Sequence, residues 1–487
     1  MAKIAMIGAG SLIFCKTLSM DILATEALRG SEICLMNRTE PKLRRIESFL
    51  KRVVVENNLP AKITATTDRR TALKNTDYVI VMIQVGAQDA FKLDYEIPLK
   101  YGVDQCIGDS LGPGGIFRGL RTIPVLADIV RDMEELCPGA VMLNYANPMA
   151  ANCLALGKIS RLPFIGLCHG VQTTLDLISE YVGVPKDQVD YLCAGINHMA
   201  WFLSLNDKRN GKDLYPILRA NIEKPEYYAN EKVRGEVMRH FGYFMTESTG
   251  HLSEYLPWFR SSRRALETYC DEPDFGGASG AYYHYGVMLQ EKYKDVDYLS
   301  LESAKIKNRS VEYCSYIIEA METDKIFKLN GNVRNDGYIA NLPAGCCVEV
   351  PIFVDRRGFH PVRIGDLPVQ LAALNQSNIT TQSIAVEAGL NGDPELVMNA
   401  VAMDPLTSAC CTLKEIREMT AEMLAAESQW LPQFKNKKIQ TVPAVRIPKN
   451  VKRVKVPLDP ALAIANRFGE LAARKVNKTT ARKPPKA

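Results

Sequence analysis

The sequence has no apolar run long enough to cross a membrane. Its longest run, Tyr78 to Val85, is far shorter than the roughly 18 residues that a membrane-spanning helix needs. The first residues continue directly into a strand-like segment, so we predict no cleavable leader. Both observations predict a protein that works in the cytoplasm, without a membrane partner.

Regular cysteine spacing is also missing. The thirteen cysteines are an odd number, follow no repeat, and include the adjacent pairs Cys346-Cys347 and Cys410-Cys411. Secreted proteins held together by disulfides usually show an even, patterned set. The cysteine content therefore predicts a reducing compartment, which again favours the cytoplasm.

Excess charge of one sign is scarce except at the C-terminal end. The formal net charge is +5, and from Gln433 onward Lys and Arg greatly outnumber the two acids, Asp459 and Glu470. We see no basic stripe interleaved with aromatic residues, so we expect no nucleic-acid partner. With 47% apolar and 24% charged residues among 487, the chain has the composition of an ordinary globular protein.

What the sequence does contain, at its start, is a strand followed by a glycine turn. The apolar segment Lys3 to Ile7 leads into Gly8-Ala9-Gly10-Ser11, and a helix is predicted over residues 13–26. Such a turn lets backbone N–H groups approach a pyrophosphate at a helix N-terminus. The third glycine of the usual fingerprint is missing, so the motif alone is weak.

A second strand, predicted over residues 32–37, ends where dinucleotide-binding folds usually place an acid for the ribose hydroxyls. That position is Asn37, whose amide can bind a hydroxyl, and the neighbouring Arg38 leaves room for a 2′-phosphate. NAD and NADP both stay open on these residues. The predicted cofactor-binding residues are Gly8, Gly10, Ser11, Asn37 and Gln84, the last at the end of a later buried strand.

Strands and helices alternate through the first part of the chain. Strands are predicted over 61–66, 77–84 and 140–149, and helices over 69–75 and 123–136, which indicates a doubly wound parallel sheet. A glycine-rich stretch at 108–118 is predicted to be a mobile loop over the site, with Asp109 and Arg118 as its polar residues. Asn147, before a proline, lies at the carboxyl end of a strand, where such sheets bind ligands.

We predict an α/β protein in three parts. A Rossmann-type NAD-binding domain covers 1–195, a mixed α+β domain for substrate, metal and oligomerisation covers 196–432, and a basic extension covers 433–487; the architecture resembles that of lactate and malate dehydrogenases. The second part is predicted to contain a helix at 300–322, an antiparallel strand at 346–354 and a helix at 413–424. The extension is predicted to contain a helix at 462–475 and a frayed end at 478–487.

Two pairs of polar residues follow short apolar elements. Cys168 and His169 come after the apolar run Leu162 to Leu167, and Asn197 and His198 follow a second apolar element. A thiolate and one imidazole are too few ligands to close a structural zinc site, so a metal at Cys168 and His198 keeps open positions for water or substrate. The alternative is a buried structural thiol and a core histidine.

Several motifs in fixed order resemble one known family. They are Gly8-Ala9-Gly10-Ser11, Asp109-Ser110-Leu111-Gly112-Pro113-Gly114-Gly115-Ile116, Leu143-Asn144-Tyr145-Ala146-Asn147-Pro148-Met149, Cys168-His169-Gly170-Val171-Gln172, Gly195-Ile196-Asn197-His198, Glu247-Ser248-Thr249-Gly250-His251-Leu252-Ser253-Glu254-Tyr255 and Gly331-Asn332-Val333-Arg334-Asn335-Asp336-Gly337. As far as about Pro432 the chain resembles glycoside hydrolase family 4, the NAD- and Mn²⁺-dependent glycosidases. The bacterial α-galactosidases are the most similar branch. Gly170 is instead typical of the α-galacturonidases, and its missing side chain could admit a sugar carboxylate.

The resemblance implies an oxidative route to glycoside cleavage, outside the usual two-carboxylate scheme. NAD⁺ takes a hydride from C3 of the sugar, a base removes the C2 proton beside the new ketone, and the aglycone leaves by elimination. Water then adds and NADH returns the hydride. Mn²⁺, bound by the C2 and C3 oxygens, stabilises the enediolate.

The resemblance also implies roles for single residues. Cys168 and His198 match the metal ligands, and Tyr255 matches the base for the C2 proton. The acid that assists the leaving group is either His169 or Asp109. The expected polar contacts to the substrate are Asn147, Arg118 and His251. A homo-oligomer, a dimer or tetramer, is expected.

Other functions stay open on the sequence. Within the same family the alternatives are an α-galacturonidase or a glucuronidase. Without the metal pair, the first half of the chain also fits an NAD-dependent dehydrogenase of the lactate or malate type, which uses a His-Asp pair and an arginine but no metal. A non-enzymatic sugar- or nucleotide-sensing regulator would bind NAD without metal-dependent turnover. Sensitivity to a chelator separates these functions from the glycosidase.

Overall fold

One mixed sheet of eleven strands organises the computed structural model, which describes residues 1–11, 14–293, 297–454 and 460–473. The chain forms two units, Met1–Ile439 and Gln440–Ala487, and the sheet belongs to the first. The strands are Lys3–Ile7 (β1), Glu32–Met36 (β2), Lys62–Thr66 (β3), Tyr78–Val81 (β4), Val141–Asn144 (β5), Phe164–Gly166 (β6), Val189–Ile196 (β7), Met199–Asp207 (β8), Phe327–Arg334 (β9), Cys347–Asp355 (β10) and Gly358–Pro361 (β11).

The N-terminal part of the sheet is parallel and has the strand order β3-β2-β1-β4-β5-β6. This is the order of doubly wound dinucleotide-binding folds, which bind their ligands at the carboxyl ends of the strands, beside the switch between β1 and β4. β4 is buried along its whole length, as expected for a strand inside a parallel sheet. The predicted Rossmann-type sheet is confirmed.

The sheet changes direction at β6. Gly166 of β6 pairs antiparallel with Asn332 of β9, and the order continues β9-β10-β7-β8, with β11 on β10. β10 confirms the antiparallel strand predicted at 346–354. The predicted boundary at residue 195 falls inside β7, so the first two predicted domains share one sheet. The division into domains at 195 stays a prediction.

Helices connect and flank these strands. In chain order they are Phe14–Ala24 (α1), Glu40–Glu56 (α2), Arg69–Leu73 (α3), Ala87–Lys100 (α4), Gly112–Leu136 (α5), Met149–Ile159 (α6), Gly170–Val182 (α7), Tyr215–Ile222 (α8), Pro225–Tyr228 (α9), Lys232–Phe241 (α10), Thr249–Tyr255 (α11), Arg263–Tyr269 (α12), Ala281–Lys292 (α13), Tyr298–Leu301 (α14), Cys314–Thr323 (α15), Val369–Asn391 (α16), Pro394–Met403 (α17), Pro405–Cys410 (α18), Leu413–Ala426 (α19) and Pro460–Ala473 (α20). Within the described ranges, none of them has both the length and the apolar content that crossing a bilayer requires.

The glycine-rich stretch at 108–118 is not a loop along its whole length, so this prediction is wrong. α5 begins at Gly112, whose N–H donates to the carboxylate of Asp404 at 3.0 Å. Gly115 lies so close to the backbone of Ser110 that a Cβ there would overlap it. The helix starts early because its first N–H group finds an acceptor 292 residues later in the chain.

The single helix predicted over 300–322 is also wrong. α14 ends at Leu301 and α15 begins only at Cys314. Arg52 of α2 donates to backbone carbonyls around the end of α14, those of Leu299 at 3.0 Å, Ser300 at 3.3 Å and Glu302 at 2.7 Å. The guanidinium therefore binds acceptor groups that a continuing helix would use for its own hydrogen bonds.

The other predicted helices lie close to observed ones. The helix predicted at 413–424 is confirmed as α19, the one at 69–75 as the shorter α3, and the one at 462–475 corresponds to α20. The helix predicted at 13–26 ends earlier, at Ala24. The frayed end predicted at 478–487 lies outside the described residues.

Arg121 of α5 forms a buried ion cluster that joins three segments. Its guanidinium donates two hydrogen bonds to Asp94 of α4, at 2.8 and 2.7 Å, and one to Glu427, just after α19. Burial and the neighbouring Asp94 carboxylate raise the pKa of Glu427 well above its usual value. Arg121 also donates to the carbonyl of Val85 at 3.4 Å, so the cluster holds the connection between β4 and α4.

Removing this guanidinium leaves two carboxyl groups buried without their partner. We expect Arg121→Met to destabilise the folded chain by about 3–5 kcal/mol, because an uncompensated buried charge costs more than the lost attraction. The urea midpoint, followed by tryptophan fluorescence, measures the change. The control Arg131→Met removes an exposed partner of Asp128 and should leave the midpoint unchanged. Equal midpoints for both variants would contradict a structural role of the buried cluster.

Candidate active site

The turn after β1 has room only for glycine at two positions. Gly8 has a φ of +93°, and a Cβ there would lie 2.7 Å from the carbonyl oxygen of Met82. A Cβ at Gly10 would overlap the side-chain amide of Asn37. Glycines in a turn before a helix let backbone N–H groups approach an anionic group.

The other predicted cofactor residues lie at strand ends beside this turn. The Ser11 hydroxyl accepts the N–H of Phe14, at the start of α1, at 3.0 Å. Asn37 follows β2 and Gln84 follows β4, the two strands that flank β1. All five predicted residues therefore lie along the carboxyl edge of three adjacent parallel strands, where this fold binds a dinucleotide.

A row of paired residues joins the parallel and antiparallel parts of the sheet. It runs from Gly166 of β6 through Asn332 of β9 and Glu349 of β10 to Gly195 of β7. Because the row crosses four strands at one level, Gly166 and Gly195, close to the ends of β6 and β7, lie level with each other, although the two strands run in opposite directions. The chain near residues 168 and 198 therefore continues from the same level of the sheet.

Cys168 follows β6, and His198 lies in the two-residue turn between β7 and β8. The backbone φ of His198 is +63°, a left-handed conformation that is uncommon outside glycine. Ligand atoms of Cys168, His198 and Glu247 all lie within 4.8 Å of one another. The structure thus brings together the two predicted metal ligands and adds an acid to them.

Glu247 begins one of the family motifs, but the sequence assigns it no role. The N–H of Thr246 donates to the carbonyl of Ala200 at 2.9 Å, which pairs this segment with the beginning of β8 and places Glu247 next to His198. Burial raises the pKa of the Glu247 carboxyl, but the charges of His198, His251 and His169 outweigh burial, so the pKa is lowered overall. Glu247 is therefore an ionised carboxylate beside a thiol and an imidazole.

The two ring nitrogens of His198 face different groups. Nδ1 lies 3.0 Å from the Ser110 hydroxyl and 3.1 Å from the Tyr255 hydroxyl, whereas Nε2 lies 3.7 Å from Glu247. Ser110 donates its hydrogen to Asp109 at 2.7 Å, so it accepts the N–H of Nδ1. In the neutral imidazole Nε2 then carries the lone pair, on the side of Cys168 and Glu247, as metal binding requires.

Tyr255 is buried beside His198, with the two rings almost parallel and their centroids 6.2 Å apart. Burial, together with the carboxylates of Asp109, Glu254 and Glu247, raises the pKa of the Tyr255 phenol well above its usual value. The phenol keeps its proton unless positive charge is placed beside it. The predicted base thus lies beside the predicted metal ligand His198, and a nearby cation would lower its pKa.

Asp109 is the centre of a buried polar network. It accepts a hydrogen bond from the side-chain amide of Asn147 at 2.9 Å, and Arg118 donates to the backbone carbonyl of Asn147 at 3.3 Å. Burial raises the pKa of Asp109, but the charges of Arg118, His251 and His198 outweigh it and lower the pKa overall. Asp109 is therefore an ionised acceptor at neutral pH. All three predicted residues belong to one network.

His251 lies on the other side of His198. Its ring centroid is 5.0 Å from that of His198, and its Nδ1 lies 3.5 Å from Glu247. Ligand atoms of Asp109, His198 and His251 form a second group within 4.8 Å. His251 thus links the Asp109 network to the cysteine side of the site.

His169 differs from Cys168, His198 and Tyr255 because its side chain is half-exposed. Its Nδ1 lies 3.2 Å from the carboxylate of Glu312. The hydrogen bond to Glu312 raises the pKa of His169, and burial opposes this change only partly. The imidazole therefore holds a proton more readily than a free histidine does.

Two acidic side chains, those of Glu247 and Glu349, lie close to Cys168. Burial and the Glu247 carboxylate raise the pKa of Glu349 to about 8. Burial, Glu247 and Glu349 also raise the pKa of the Cys168 thiol well above its usual value. Several negative charges in such a small volume are favourable only with a cation among them, so this donor set fits a divalent metal.

Glu254 anchors the segment that carries Asp109, and the sequence alone does not reveal this role. Its carboxylate accepts the backbone N–H groups of Cys106 at 2.8 Å, Ile107 at 3.0 Å and Gly108 at 2.9 Å. Burial raises the pKa of Glu254 to about 7, against the effect of these hydrogen bonds. The segment is thus held at one end by Glu254 and at the other by Asp404, which caps α5.

We expect Glu254→Gln to loosen this segment, because its N–H₂ group would face one of the three N–H donors. A lost buried acceptor costs about 1–3 kcal/mol, so amide exchange in a peptide covering residues 105–111 should become about tenfold faster. Hydrogen–deuterium exchange with mass spectrometry measures it. The control is Glu267→Gln, which changes an exposed carboxylate on α12.

The same anchor should respond to pH. The pKa of Glu254 is about 7 in the folded chain, above the usual value of 4.5 that the carboxyl regains when the segment opens to water. The closed segment therefore binds a proton more readily than the open one, and opening becomes easier as the pH rises from 6 to 8. Protection of these amides, corrected for intrinsic exchange, should be higher at pH 6 than at pH 8 in the parent and independent of pH in Glu254→Gln. Equal protection in both proteins at both pH values would refute the anchor.

Known proteins resemble this chain over most of its length. The family described as "Family 4 glycosyl hydrolase" matches residues 3–184, and its C-terminal domain matches residues 193–407. An α-galactosidase of Rhizobium meliloti is 42% identical over 89% of this chain and 89% of its own length, and one of Bacillus subtilis is 42% identical over 89% and 100%. A 6-phospho-beta glucosidase of Thermotoga maritima, solved with manganese, NAD⁺ and glucose-6-phosphate, has a similar fold, with a TM-score of 0.72 at 20% identity over 88% of this chain and 99% of that one. The chain belongs to family 4 of the glycosyl hydrolases.

Proposed function

We propose that this chain is an NAD- and Mn²⁺-dependent α-galactosidase. The observation that carries the proposal is the grouping of Cys168, His198 and the Tyr255 hydroxyl, in a chain 42% identical to two α-galactosidases. Metal ligands beside a buried phenol suit proton abstraction next to a sugar carbonyl better than displacement by paired carboxylates. Family membership also favours this function over a dehydrogenase or a sensing regulator.

The residues at both sites fit the groups that the family implies. In our proposal Cys168 and His198 hold the metal, and the dinucleotide is held by Gly8, Gly10, Ser11, Asn37 and Gln84. The turn takes only glycine at positions 8 and 10, because a Cβ would overlap Met82 or Asn37. When bound, NAD⁺ supplies a hydride acceptor, and Mn²⁺ supplies positive charge near the sugar oxygens and Tyr255.

Tyr255 acts as the base that takes the C2 proton. Its hydroxyl is fixed 3.1 Å from Nδ1 of His198, so it is next to a proposed metal ligand. The raised pKa of the phenol makes it a poor base by itself, and a neighbouring cation counteracts the effect of the surrounding carboxylates. The Asp109 carboxylate accepts hydrogen bonds from the Ser110 hydroxyl and the Asn147 amide, which fixes the positions of both groups in the site.

Of the two candidate acids, we propose His169 for the leaving group. Glu312 raises the pKa of His169, and the exposed ring can exchange its proton with water. Asp109 has a lowered pKa and is ionised at neutral pH, so it has no proton to donate. Asp109 and Arg118 instead orient polar groups around the sugar, with Asn147 as the contact to a hydroxyl.

The sugar is a galactoside in this proposal. The α-galacturonidase of Bacillus subtilis is only 28% identical to this chain, over 83% of it. Gly170 does not open the pocket wall to a sugar carboxylate, because Glu247 fills the space that a side chain at Gly170 would take. A carboxylate at that place also repels a uronate.

We further propose that the protein works in the cytoplasm as a homo-oligomer. All thirteen cysteines are free thiols, which suits a reducing compartment. Exposed apolar side chains follow one another on α13, at Tyr285, Val287 and Met288, and self-association would cover such a surface. The choice between a dimer and a tetramer stays a prediction.

Proton abstraction at C2 can be tested with a single variant. We expect Tyr255→Phe to lower kcat by about 10²–10⁴-fold, the usual contribution of a general base, without weakening NAD⁺ binding. Product formed by the parent in D₂O should carry deuterium at C2, as seen by NMR. Tyr285→Phe, an exposed tyrosine of α13, is the control and should retain full activity. Product without deuterium would indicate direct displacement instead.

The sugar can be tested with a panel of 4-nitrophenyl glycosides in the presence of NAD⁺, Mn²⁺ and a thiol reductant. We expect kcat/KM for the α-galactoside to exceed that for the α-glucoside, the α-galacturonide and both glucuronides by about tenfold or more, since each mismatched sugar group leaves polar groups unpaired. Activity confined to the uronides would overturn the α-galactosidase assignment and leave the NAD and metal chemistry intact.

A further inference from the structure

The absence of a side chain at Gly170 leaves room for the Glu247 carboxylate beside Cys168. Gly170 is the first residue of α7, and a Cβ built on it would overlap Oε1 of Glu247 and lie 3.2 Å from its carboxyl carbon. The same Cβ would lie 3.5 Å from the sulfur of Cys168. A residue with a Cβ at position 170 therefore displaces the Glu247 carboxylate from its present position.

The Glu247 carboxylate is held among three donor atoms without a short contact to any of them. Oε1 accepts a hydrogen bond from the thiol of Cys168, with 3.8 Å between sulfur and oxygen, and lies 3.7 Å from Nε2 of His198, whereas Oε2 lies 3.5 Å from Nδ1 of His251. A direct hydrogen bond from nitrogen would be about 2.7–3.2 Å long. Donor atoms bound at about 2.0–2.3 Å to one ion lie about 3–4 Å apart, which matches the first two separations.

The backbone conformation of Glu247 also fits a carboxylate that shares an ion with Cys168 and His198. Glu247 has a φ of +76°, a left-handed conformation that is strained for a residue with a side chain. That conformation keeps the carboxylate next to His198 Nε2, the nitrogen left with a lone pair by the hydrogen bond at Nδ1. An ordinary surface glutamate would gain nothing from this conformation.

We propose that Glu247 is a third protein ligand of the divalent cation and that Gly170 admits it; this rests on the proposed function, which places the cation at Cys168 and His198. The carboxylate has two consequences. Together with the thiolate it balances the double positive charge of the cation. Its oxygen also makes the donor set harder than a cysteine and a histidine alone, which favours Mn²⁺ over softer metals.

The test measures Mn²⁺ binding directly, by electron paramagnetic resonance of free Mn²⁺, with the full-length chain stripped by EDTA and supplied with NAD⁺. We expect Glu247→Gln to raise the Kd for Mn²⁺ about tenfold or more, and Gly170→Ala to act in the same direction because it displaces the carboxylate. The double variant should bind no more weakly than Glu247→Gln alone, since both changes remove one interaction. The control Gly157→Ala adds a methyl group to a helical glycine with room for it.

The outcomes separate this inference from the proposed function. If Glu247→Gln binds Mn²⁺ as tightly as the parent while Cys168→Ser has lost it, the third ligand is refuted and the metal site stands. If the parent does not bind Mn²⁺, or Cys168→Ser binds it equally well, the metal assignment itself is refuted.

A spectroscopic readout tests the same ligand independently of the affinity for Mn²⁺, and the more conservative variant Glu247→Asp is included in case Glu247→Gln folds poorly. With Co²⁺ in place of Mn²⁺, the thiolate-to-metal absorption band should persist in Glu247→Gln and Glu247→Asp and disappear in Cys168→Ser. The weaker Co²⁺ bands, which report the number and type of ligands, should change in Glu247→Gln. Unchanged weak bands in a folded Glu247→Gln protein would overturn the proposal.

Discussion

The pairing of β6 with β9 is the constraint on which the whole site depends. One row of paired residues, from Gly166 to Gly195, crosses four strands and puts the ends of β6 and β7 at the same level, although these strands are not neighbours and run in opposite directions. Gly166 has no alternative, because a Cβ there would lie 2.6 Å from two sulfur atoms of α6. Cys168 and His198 meet as a result of this register.

The site concentrates unfavourable features that the rest of the chain must stabilise. His198 and Glu247 both have left-handed backbones, each at a cost of about 1–3 kcal/mol. The buried carboxyl groups of Glu349 and Glu254 have raised pKa values, which is a sign of unfavourable ionisation. The extensive sheet and the buried Arg121 cluster supply the rigidity that keeps these groups in place, as is common around functional sites.

The fold and site were predictable from the sequence where the signals are local. The glycine turn at Gly8 and the apolar strands around it are short-range patterns, and Cys168 and His198 each follow an apolar element. Glu247 and Glu254 were not recognisable as parts of the site, because their roles depend on partners 79 and 148 residues away. The start of α5 was misplaced for the same reason, since its cap belongs to a distant helix.

The two anchors of the segment around Asp109 have a consequence for the order of folding. Glu254 and Asp404 bind this segment across sequence separations of 148 and 292 residues. The nucleotide-binding strands can form early during synthesis, since their contacts lie near one another in the sequence, whereas contacts between distant residues form late. The active site therefore cannot form while only the nucleotide-binding strands are folded. It forms only after α11 and α18 have packed against the segment around Asp109, so enzymatic activity indicates that folding is nearly complete.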